Sequence, residues 1–359
     1  MNRDTVSNPT EQEAPEKVIP IVFSTDDNYV PYAGVAIQSI VLNANPHNIY
    51  RIFVLYDSLS AEHIEALEGL STKNITVQCR PIENLMHSIR TSLPTARYIS
   101  KATYYRILIP EIEEFKSYPC IVYLDCDLIV NTDIAGIVPQ SMGNALIAGV
   151  RDYSSMESDQ RKRLERDFRI DAEQYVNAGV LVINVPQWIQ ENTARKCFDF
   201  LAGTPSEKLL HMDQDIINAV CKGRILYLDV AWNYSWYWVY GEAKIVARCK
   251  PITDRIGENF HILHFAAWFK PWTSFELPLA RYFWMYAGQS PFYKEIIEAN
   301  FCSRADLENN LPYIRVGRAI TFLPRKLLGG IRCIRDHGAG YTVRRTLYHI
   351  GLWKDEEKG

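Results

Sequence analysis

The sequence predicts an α/β fold, in which a sheet built largely of parallel strands is covered by helices. The first observation is a βαβαβ alternation of strand-like and helical segments from residue 18 onward, which is typical of parallel sheets. The second is the composition, because 47% of the 359 residues are hydrophobic and 23% are charged, as in soluble globular proteins. The length allows one large domain or two smaller ones, and the composition excludes global disorder, collagen and coiled coils.

The predicted elements follow one another in a regular order. Strands are expected at residues 18–25, 51–57 and 75–80, with helices at 32–43 and 61–70 between them. An amphipathic segment follows at residues 103–112. Further strands are expected at 120–130, 145–150 and 179–184, and further helices at 186–201, 213–221 and 278–287. We find no internal repeat, which favours a single nucleotide-binding type of domain over residues 18–310.

The two ends of the chain differ from this central part. Residues 1–17 are polar and aperiodic, and they predict a disordered leader. Residues 311–359 are predicted to be a separate amphipathic region, and between 315 and 354 they contain nine Lys or Arg side chains and one acid, Asp336. Such a segment can lie on an anionic membrane surface, where each basic residue adds about 1 kcal/mol, or pack on the body with its arginines in solvent. We expect the membrane surface and no nucleic acid, which the acidic remainder would repel.

The cysteines and the hydropathy pattern bear on the compartment. Eight cysteines are scattered without a CxxC pair, and no apolar N-terminal stretch resembles a secretory signal. No run of 18 apolar residues occurs, so no spanning helix is expected. We therefore expect reduced thiols in a cytoplasmic protein that is peripheral on the inner face of the cytoplasmic membrane.

The strongest local motif is the apolar run that contains Asp125 and Asp127. Two carboxylates at i and i+2 of an extended backbone point to the same side, where both can reach one divalent cation. Placing two like charges together at the edge of a core is unfavourable without a positive partner. An acidic pair can also simply end a strand, so this motif alone leaves both interpretations open.

A second candidate group is the HILHFAAWFKPW segment, which contains His261, His264 and Lys270. One imidazole beside two carboxylates completes a ligand set suited to Mn²⁺ or Mg²⁺, and we expect only one of the two histidines to bind. Lys270 could neutralise a phosphate. A packed histidine pair is the alternative, and zinc is disfavoured because no further Cys or His stands at ligand spacing.

The segment at residues 24–29 follows the first strand, where doubly wound sheets bind nucleotides. Its Asp26, Asn28 and Tyr29 offer a carboxylate for a base N–H, an amide, and a ring on which a base can stack. The alternative is an ordinary turn and helix cap. Neither a GxGxxG nor a GxxxxGK[ST] motif occurs, which removes the main support for dinucleotide and P-loop binding.

Three further pieces are suggestive only in combination. They are Arg106 in a predicted helix, Asn177 and Ala178 at the start of a strand, and the DQD segment from Asp213 to Asp215 at the start of a helix. For the two acids the structural alternatives are a helix cap and a first-turn charge.

In this order, the segments resemble glycosyltransferase family 8, the retaining enzymes that include bacterial lipooligosaccharide galactosyl- and glucosyltransferases and glycogenin. Six segments between residues 18 and 272 carry the resemblance: FSTDDNY, ATYYRILIP, YLDCD, NAGVLVIN, MDQDIIN and HFAAWFKPW. The resemblance implies a GT-A fold, which is a Rossmann-like mixed sheet flanked by helices and merged with an acceptor-binding part. Here a C-terminal basic helical appendage would follow it.

The resemblance also implies roles for single residues. Asp125, Asp127 and His264 would be the ligands of Mn²⁺, with Mg²⁺ as the alternative, and would hold the diphosphate of a UDP-sugar. Asp26, Asn28 and Tyr29 would bind uridine, and Lys270 would contact a phosphate. Around the donor sugar, in addition to Asp125, would lie Arg106, Asp152, Asn177, Ala178, Asp213 and Gln214. After the ligand histidine, this chain departs from the small pair that members often carry and has Ala266, Ala267 and Trp268.

The implied reaction is transfer of a hexose from UDP-galactose or UDP-glucose to a hydroxyl of a cell-surface glycan precursor, with a glycan or glycolipid as acceptor. Front-face substitution is favoured, because the nearest candidate nucleophile, Gln214, is a poor one; Asp215 is the second candidate, with Asp213 beside it. The aromatic segment at 232–240 is expected either to stack on acceptor sugars or to pack as core. The alternatives are a sugar-phosphate nucleotidyltransferase and a non-catalytic sugar-nucleotide-binding protein.

Overall fold

The structure is a computed structural model that describes residues 17–82, 105–266, 270–273 and 279–301. The chain forms two compact units, Met1–Ala266 and Ala267–Gly359. The proposed domain boundaries near residues 17 and 310 and the membrane-binding region at 315–354 fall on or next to residues outside the described ones, so they stay predictions.

The first unit contains ten strands among its described residues. They are β1 (Val18–Thr25), β2 (Ile49–Tyr56), β3 (Ile75–Pro81), β4 (Cys120–Leu124), β5 (Leu128–Val130), β6 (Ile147–Arg151), β7 (Val176–Asn184), β8 (Ile225–Tyr227), β9 (Tyr234–Ser235) and β10 (Ile262–His264).

Helices lie between these strands and in the second unit. Those of the first unit are α1 (Val30–Asn43), α2 (Ala61–Glu68), α3 (Tyr105–Leu108), α4 (Ser158–Arg163), α5 (Val185–Gln190), α6 (Thr193–Gly203), α7 (Asp213–Val220), α8 (Tyr237–Tyr240) and α9 (Ala243–Ile256). The described part of the second unit contains α10 (Ala280–Ala287) and α11 (Tyr293–Asn300).

Seven strands form the main sheet, in the order β3-β2-β1-β4-β7-β6-β8. The strands β1 to β4 are parallel to one another, and β7 is antiparallel to both of its neighbours, so the sheet is mixed, as the resemblance implied. The chain runs outward from β1 to β3 and then returns to place β4 on the other side of β1. The carboxyl ends of β1 and β4 therefore flank a topological switch point, which is where ligands bind in sheets of this kind.

A smaller sheet brings a distant segment to this switch point. Its order is β5-β10-β9, with β10 antiparallel to β5 and parallel to β9. The register pairs His264 with Leu128, directly after the acidic motif. This pairing explains how residues more than a hundred positions apart in the chain meet at one site.

Apolar side chains buried on both faces stabilise the main sheet. Ile21, Val22 and Phe23 are consecutive and fully buried, which only a strand covered on both faces allows. A large cluster of buried side chains, including Trp188 and Tyr175, fills the space between the sheet and its helices. At roughly 1.5–3 kcal/mol for each large apolar side chain, this burial dominates the stability of the unit.

The structure confirms the α/β fold class and the early elements, and it corrects two predictions. Residues 120–130 are not one strand, because the chain leaves the main sheet after Leu124 and joins the smaller sheet at Leu128. The two aspartates therefore lie in the bend between two strands rather than on one extended segment. Residues 186–201 are two helices, because Asn192 adopts a left-handed conformation with φ 52° and interrupts the first.

Several described elements were not predicted from the sequence, among them β8, β9, β10, α9 and α11. Helix α9 contains Pro251 in its interior, a residue that normally ends a helix. The short strands β9 and β10 have two and three residues, too few for a periodic pattern.

The six cysteines that the structure describes are free, in agreement with the expected reduced thiols, and all six are buried. Among the described helices, none combines the length and apolar character needed to cross a membrane.

Candidate metal and active site

Three strand ends converge at the switch point and build the site. The carboxyl ends of β1 and β4 meet the first residues of β7, which is antiparallel to β4. The Sγ of Cys126 lies 3.2 Å from the backbone oxygen of Ser24, and the backbone N–H of Asp125 donates to the oxygen of Gly179 at 2.8 Å. These contacts fix the bend that carries both aspartates.

Asp125, Asp127 and His264 form a group whose ligand atoms all lie within 4.8 Å of one another. Nε2 of His264 is 3.1 Å from Oδ1 of Asp127 and 3.9 Å from Oδ2 of Asp125. The ligand side chains differ in exposure: that of His264 is 3% exposed and that of Asp125 is 27% exposed. The histidine is anchored in the interior, and the carboxylates face the opening of the site.

The backbone at Gly179 is shaped to this group. A Cβ at that position would lie 2.3 Å from Cε1 of His264 and 2.5 Å from Oδ2 of Asp125, closer than real Cβ contacts allow. Only glycine lets β7 approach the two side chains this closely. The sequence motif that begins at Asn177 thus owes its glycine to the space that these side chains occupy.

The residues present fit a divalent cation. Two carboxylates and one imidazole nitrogen provide the oxygen and nitrogen donors that Mn²⁺ and Mg²⁺ accept. A cation among them would also relieve the repulsion between two neighbouring carboxylates. The described part of the chain thus contains a possible metal site at the position that the sequence predicted.

Arg106 lies beneath this group and is 8% exposed. Its guanidinium donates to Oδ1 of Asp125 at 3.0 Å and to the oxygen of Ala178 at 2.6 Å. Its Nε is 2.7 Å from Oδ2 of Asp213, an ion pair without the alignment of a hydrogen bond. Burial alone would lower the pKa of Arg106, but the charges of Asp125 and Asp213 outweigh it and raise the pKa above its usual range. Arg106 is therefore a permanent positive charge.

Asp213 occupies the first turn of α7 and is 5% exposed. Burial raises its pKa to about 6; Arg106 opposes this shift and Asp125 adds to it. The preceding residue, Met212, has φ 44°, which is unusual for a residue with a side chain. Backbone strain of this kind occurs where the surrounding structure holds a functional segment in place.

Gln214 connects α7 to the start of β7. Its Oε1 accepts hydrogen bonds from the Nδ2 of Asn177 at 3.1 Å and from the backbone N–H of Ala178 at 2.9 Å. Its Nε2 donates to Oδ2 of Asp152 at 3.1 Å. The structure therefore brings together Arg106, Asp125, Asp152, Asn177, Ala178, Asp213 and Gln214, all predicted from the sequence to surround the donor sugar.

Asp215 differs from its two neighbours, because it is fully buried with both oxygens engaged. The guanidinium of Arg163 donates two parallel hydrogen bonds to it, each of 3.0 Å. Oδ1 also accepts from the hydroxyl of Tyr175 at 2.6 Å, and Oδ2 from the backbone N–H of His211 at 3.0 Å. These contacts support a structural role and leave little basis for Asp215 as a nucleophile.

The predicted uridine residues follow β1 in an exposed turn. Oδ1 of Asp26 accepts from the backbone N–H of Tyr29 at 3.1 Å, and the Tyr29 side chain is 41% exposed. An exposed ring at the carboxyl end of a strand is suited to stacking. Lys270 belongs to the second unit, where its Nζ lies 6.0 Å from the centre of the Trp272 ring. The proposed roles of these residues stay predictions.

Two residues that the sequence interpretation did not single out contact the metal-ligand group. The hydroxyl of Tyr123 donates to Oδ1 of Asp125 at 2.9 Å, and Oδ1 of Asn233 lies 2.9 Å from Nδ1 of His264. Tyr123 stands two residues before Asp125 in the YLDCD segment, so the sequence itself indicated that the two side chains point to the same side. Asn233 lies in the aromatic segment that was expected either to stack on acceptor sugars or to pack as core, and only the tertiary fold reveals its contact with His264.

The aromatic segment at 232–240 is mostly core. Trp236 and Trp238 are 1% and 2% exposed, whereas Tyr240 is 40% exposed. The larger part of the segment therefore packs as the structural alternative predicted, and Tyr240 remains accessible to a ligand.

A mixed sheet with a group of possible metal ligands and buried charges at its switch point is the architecture expected of a GT-A type of glycosyltransferase. Residues 20–276 match the model of glycosyl transferase family 8. The chain belongs to this family, and the protein is a glycosyltransferase. This membership decides against the nucleotidyltransferase alternative.

Relatives and solved structures agree with the family. The chain is 27% identical to general stress protein A of Bacillus subtilis, over 72% of this chain and 89% of the relative. It is 26% identical to lipopolysaccharide 1,3-galactosyltransferase of Salmonella typhimurium, over 76% and 78% of the two chains. The structure of the bifunctional glycosyltransferase WbbM is similar with a TM-score of 0.69 and 25% identity; the match covers 81% of this chain and 52% of WbbM. The galactosyltransferase LgtC shares the fold, with a TM-score of 0.59, 23% identity and coverage of 76% and 96%.

Proposed function

We propose that the protein transfers galactose or glucose from a UDP-sugar to a hydroxyl of a cell-surface glycan precursor, with retention of configuration. The observation that carries this proposal is the group of Asp125, Asp127 and His264, placed beside the buried charges of Arg106 and Asp213 at the switch point. A relative of similar length that is named lipopolysaccharide 1,3-galactosyltransferase supports a hexose and a glycan acceptor.

Mn²⁺, or Mg²⁺ in its place, is the proposed cofactor, held by Asp125, Asp127 and His264. When bound, such an ion supplies a positive charge that stabilises the negative charge developing on a diphosphate leaving group. The protein's own part is to fix the three ligand atoms, which the bend between β4 and β5 and the pairing of β10 with β5 achieve.

Arg106 and Asp213 set the electrostatics next to the donor sugar. Arg106 carries a buried positive charge whose orientation is fixed by Asp125 and Asp213. A preorganised charge of this kind needs no reorganisation as the glycosidic bond breaks, and we assign it to stabilising the negative charge that develops on the leaving group. Asp213, held by Arg106, is placed to accept hydrogen bonds from sugar hydroxyls.

The hydrogen bonds between Gln214 and the first residues of β7 favour front-face substitution over a double displacement. The Oε1 of Gln214 accepts two hydrogen bonds, and an amide oxygen used in this way is a poor nucleophile. Asp215 is saturated by Arg163 and Tyr175. We therefore assign Gln214 to orienting the sugar. We propose that the acceptor hydroxyl attacks the sugar on the same face from which the leaving group departs.

The proposed nucleotide and acceptor contacts extend beyond this centre. Asp26, Asn28 and Tyr29 are assigned to uridine, and Lys270 to a phosphate. The exposed Tyr240 is assigned to the acceptor glycan or glycolipid. The basic region at 315–354 is assigned to an anionic membrane surface, which would bring the enzyme to a lipid-linked acceptor on the cytoplasmic side.

The test of the metal assignment is a pair of isosteric variants of the whole chain. Asp127→Asn removes one ligand charge and is expected to lower Mn²⁺-dependent release of UDP from a UDP-hexose by about a hundredfold or more. Asp254→Asn, at an exposed position of helix α9, is the matched control and should keep wild-type activity. Wild-type rates in the Asp127→Asn variant would overturn the metal site.

A further inference from the structure

A line of side-chain hydrogen bonds connects the metal-ligand group to the sugar side of the proposed site. Nδ1 of His264 lies 2.9 Å from Oδ1 of Asn233, whose Nδ2 donates to Oδ1 of Asn177 at 2.9 Å. Nδ2 of Asn177 donates to Oε1 of Gln214, and Nε2 of Gln214 donates to Oδ2 of Asp152. Each amide accepts on one side and donates on the other, in the same direction along the whole line.

Two backbone amides of β7 determine this direction. The N–H of Gly179 donates to Oδ1 of Asn177 at 3.0 Å, and the N–H of Ala178 donates to Oε1 of Gln214 at 2.9 Å. A backbone N–H can only donate, so the oxygen of each side-chain amide must face it. Since Oδ1 of Asn177 is fixed in this way, its neighbour Asn233 must present its Nδ2 to Asn177 and its Oδ1 to His264.

The orientation of Asn233 in turn determines which nitrogen of His264 carries a hydrogen. An amide oxygen only accepts, so the hydrogen between the two residues belongs to Nδ1 of His264. A neutral imidazole has one N–H, which leaves the lone pair on Nε2. Nε2 faces Asp127 and Asp125, and its distance of 3.1 Å from Oδ1 of Asp127 also allows a hydrogen bond there before an ion binds. With the proposed ion on Nε2, the one hydrogen of a neutral ring belongs to Nδ1, where Oδ1 of Asn233 accepts it.

Because Asn233 and His264 are buried, a wrong orientation of the Asn233 amide would be energetically unfavourable. Asn233 is 1% exposed and His264 is 2% exposed. In such surroundings, turning the amide of Asn233 would set its Oδ1 against Oδ1 of Asn177, two acceptors with no hydrogen between them.

We propose that Asn233 is a positioning residue that holds His264 in its metal-binding tautomer and couples it, through Asn177, to Gln214. The inference rests on the proposed metal function of His264. It assigns a role in the site to a polar residue of the aromatic segment at 232–240.

The first experiment measures Mn²⁺ affinity of the full chain by electron paramagnetic resonance of free Mn²⁺, with and without UDP. Asn233→Leu is similar in size and removes the acceptor, so we expect binding to weaken by about 10- to 100-fold. Asn233→Asp keeps an oxygen toward Nδ1 but sets its second oxygen against Oδ1 of Asn177, so it should lose clearly less affinity than Asn233→Leu. The control is Asn184→Leu, another buried asparagine, about 23 Å along β7 from Asn177, which should leave the affinity unchanged.

The outcomes separate the inference from the proposed function. If the wild type does not bind Mn²⁺ even with UDP, the proposed function fails. If the wild type binds and Asn233→Leu, with a cooperative thermal transition in EDTA, binds equally well, the inference is overturned. Loss of affinity in Asn233→Asp to the same extent as in Asn233→Leu also contradicts it, because the acceptor oxygen would then not be the relevant feature.

A second measurement needs no folded variant of Asn233. Long-range ¹H–¹⁵N spectra of the metal-free wild type at alkaline pH report which nitrogen of each neutral histidine carries the hydrogen, and the His264→Gln variant identifies the signal of His264. We expect the hydrogen on Nδ1. A hydrogen on Nε2 alone would overturn the proposal.

The coupling to Gln214 has its own readout. Asn177→Asp keeps the oxygen that accepts from Gly179 and Asn233 but places a second oxygen against Oε1 of Gln214. We expect near-wild-type Mn²⁺ affinity together with a kcat for donor hydrolysis lowered by about tenfold or more. An unchanged kcat in this variant would show that the line of hydrogen bonds carries no coupling.

Discussion

At the scale of single residues, the backbone of β7 determines how closely the ligand side chains can approach one another. Gly179 lies against both His264 and Asp125, and Asn177 and Ala178, just before it, hold Gln214. One strand end therefore supports both the metal ligands and the sugar-orienting amide. A change at Gly179 is therefore expected to affect metal binding and transfer together.

Gly179→Ala tests this role of β7. The new Cβ would lie 2.3 Å from Cε1 of His264, so one of the ligands must move. We expect Mn²⁺ affinity to fall by about tenfold or more, and stability to fall by about 1–3 kcal/mol. Gly203→Ala, at the end of α6 with no atom within 4 Å of the added carbon, is the control and should be close to neutral. Titration of Mn²⁺ and urea unfolding measure both effects, and wild-type affinity in Gly179→Ala would contradict the account.

The buried carboxyl of Asp213 predicts a pH-dependent stability of the metal-free protein. Its folded-state pKa is raised to about 6 by burial, above the ordinary value of 3.8, so the folded state binds the proton more tightly than the unfolded state. The associated stability is fully present below about pH 4 and is lost as the pH rises through 6. Relative to Asp213→Asn, the wild type should lose stability on the order of 1–3 kcal/mol over this range. Urea unfolding of both proteins in EDTA at several pH values measures the difference, and a pH-independent difference would contradict the assignment.

At the scale of elements, the ion pair between Arg163 and Asp215 joins α4 to α7. Asp215 also contacts Tyr175, just before β7, so one buried carboxylate connects three segments around Gln214. Such a pair need not add net stability compared with an apolar contact, but breaking it leaves an uncompensated buried charge.

Asp215→Asn is therefore expected to lower the free energy of unfolding by about 3–5 kcal/mol. The control is Asp199→Asn, which breaks the exposed pair with Arg195 on α6 and should cost less than about 1 kcal/mol. Urea unfolding compares the two. A variant at Asp215 with wild-type stability and no transfer activity would instead indicate that Asp215 acts on the substrate.

The elements also show what the sequence could predict. Apolar runs such as β1 and β7 and the capped helix α2 follow from local patterns, because their burial is repetitive and their ends carry turn residues. The break of residues 120–130 after Leu124 does not, since the same apolar run enters two sheets whose other strands come from distant parts of the chain.

The sequence predicted the metal-ligand residues of the site but not the contacts that support them. The two aspartates stand in one motif, and His264 was identified by its resemblance to a family pattern. The contact of Asn233 with His264 depends on the parallel pairing of β9 with β10, which no local pattern encodes. Conversely, the sequence left both Gln214 and Asp215 as candidate nucleophiles, whereas the fold places Asp213 and Gln214 at the site and Asp215 in a buried ion pair with Arg163.

At the scale of the whole molecule, the metal-ligand group joins two sheets. Asp125 follows β4 of the seven-stranded sheet, and His264 ends β10 of the three-stranded sheet. A bound ion would therefore link the two sheets, and ligand binding stabilises any fold that presents the assembled site. We expect Mn²⁺ with UDP to raise the melting temperature of the wild type and not that of Asp127→Asn. Equal shifts in both proteins would indicate that the ion binds elsewhere.

The basic region makes a prediction about membrane binding by the full chain. Replacing Arg325, Lys326, Arg332 and Arg335 with serine is expected to weaken binding to anionic phosphatidylglycerol vesicles by several kcal/mol, at about 1 kcal/mol per charge. Neutral phosphatidylcholine vesicles should bind neither protein. The control replaces four exposed basic residues of the first unit: Arg161, Arg195, Lys196 and Lys250. Cosedimentation measures binding, and unchanged sedimentation of the first variant would contradict the membrane assignment.

The most direct test of the proposed function is UDP release by the purified wild type across a panel of UDP-sugars with Mn²⁺, Mg²⁺ or EDTA. Slow hydrolysis of the correct donor needs no acceptor, so the measurement reports the donor and the metal together. We expect release from UDP-galactose or UDP-glucose that depends on Mn²⁺ and stops in EDTA. No release from any donor, together with no binding of UDP by calorimetry, would contradict it.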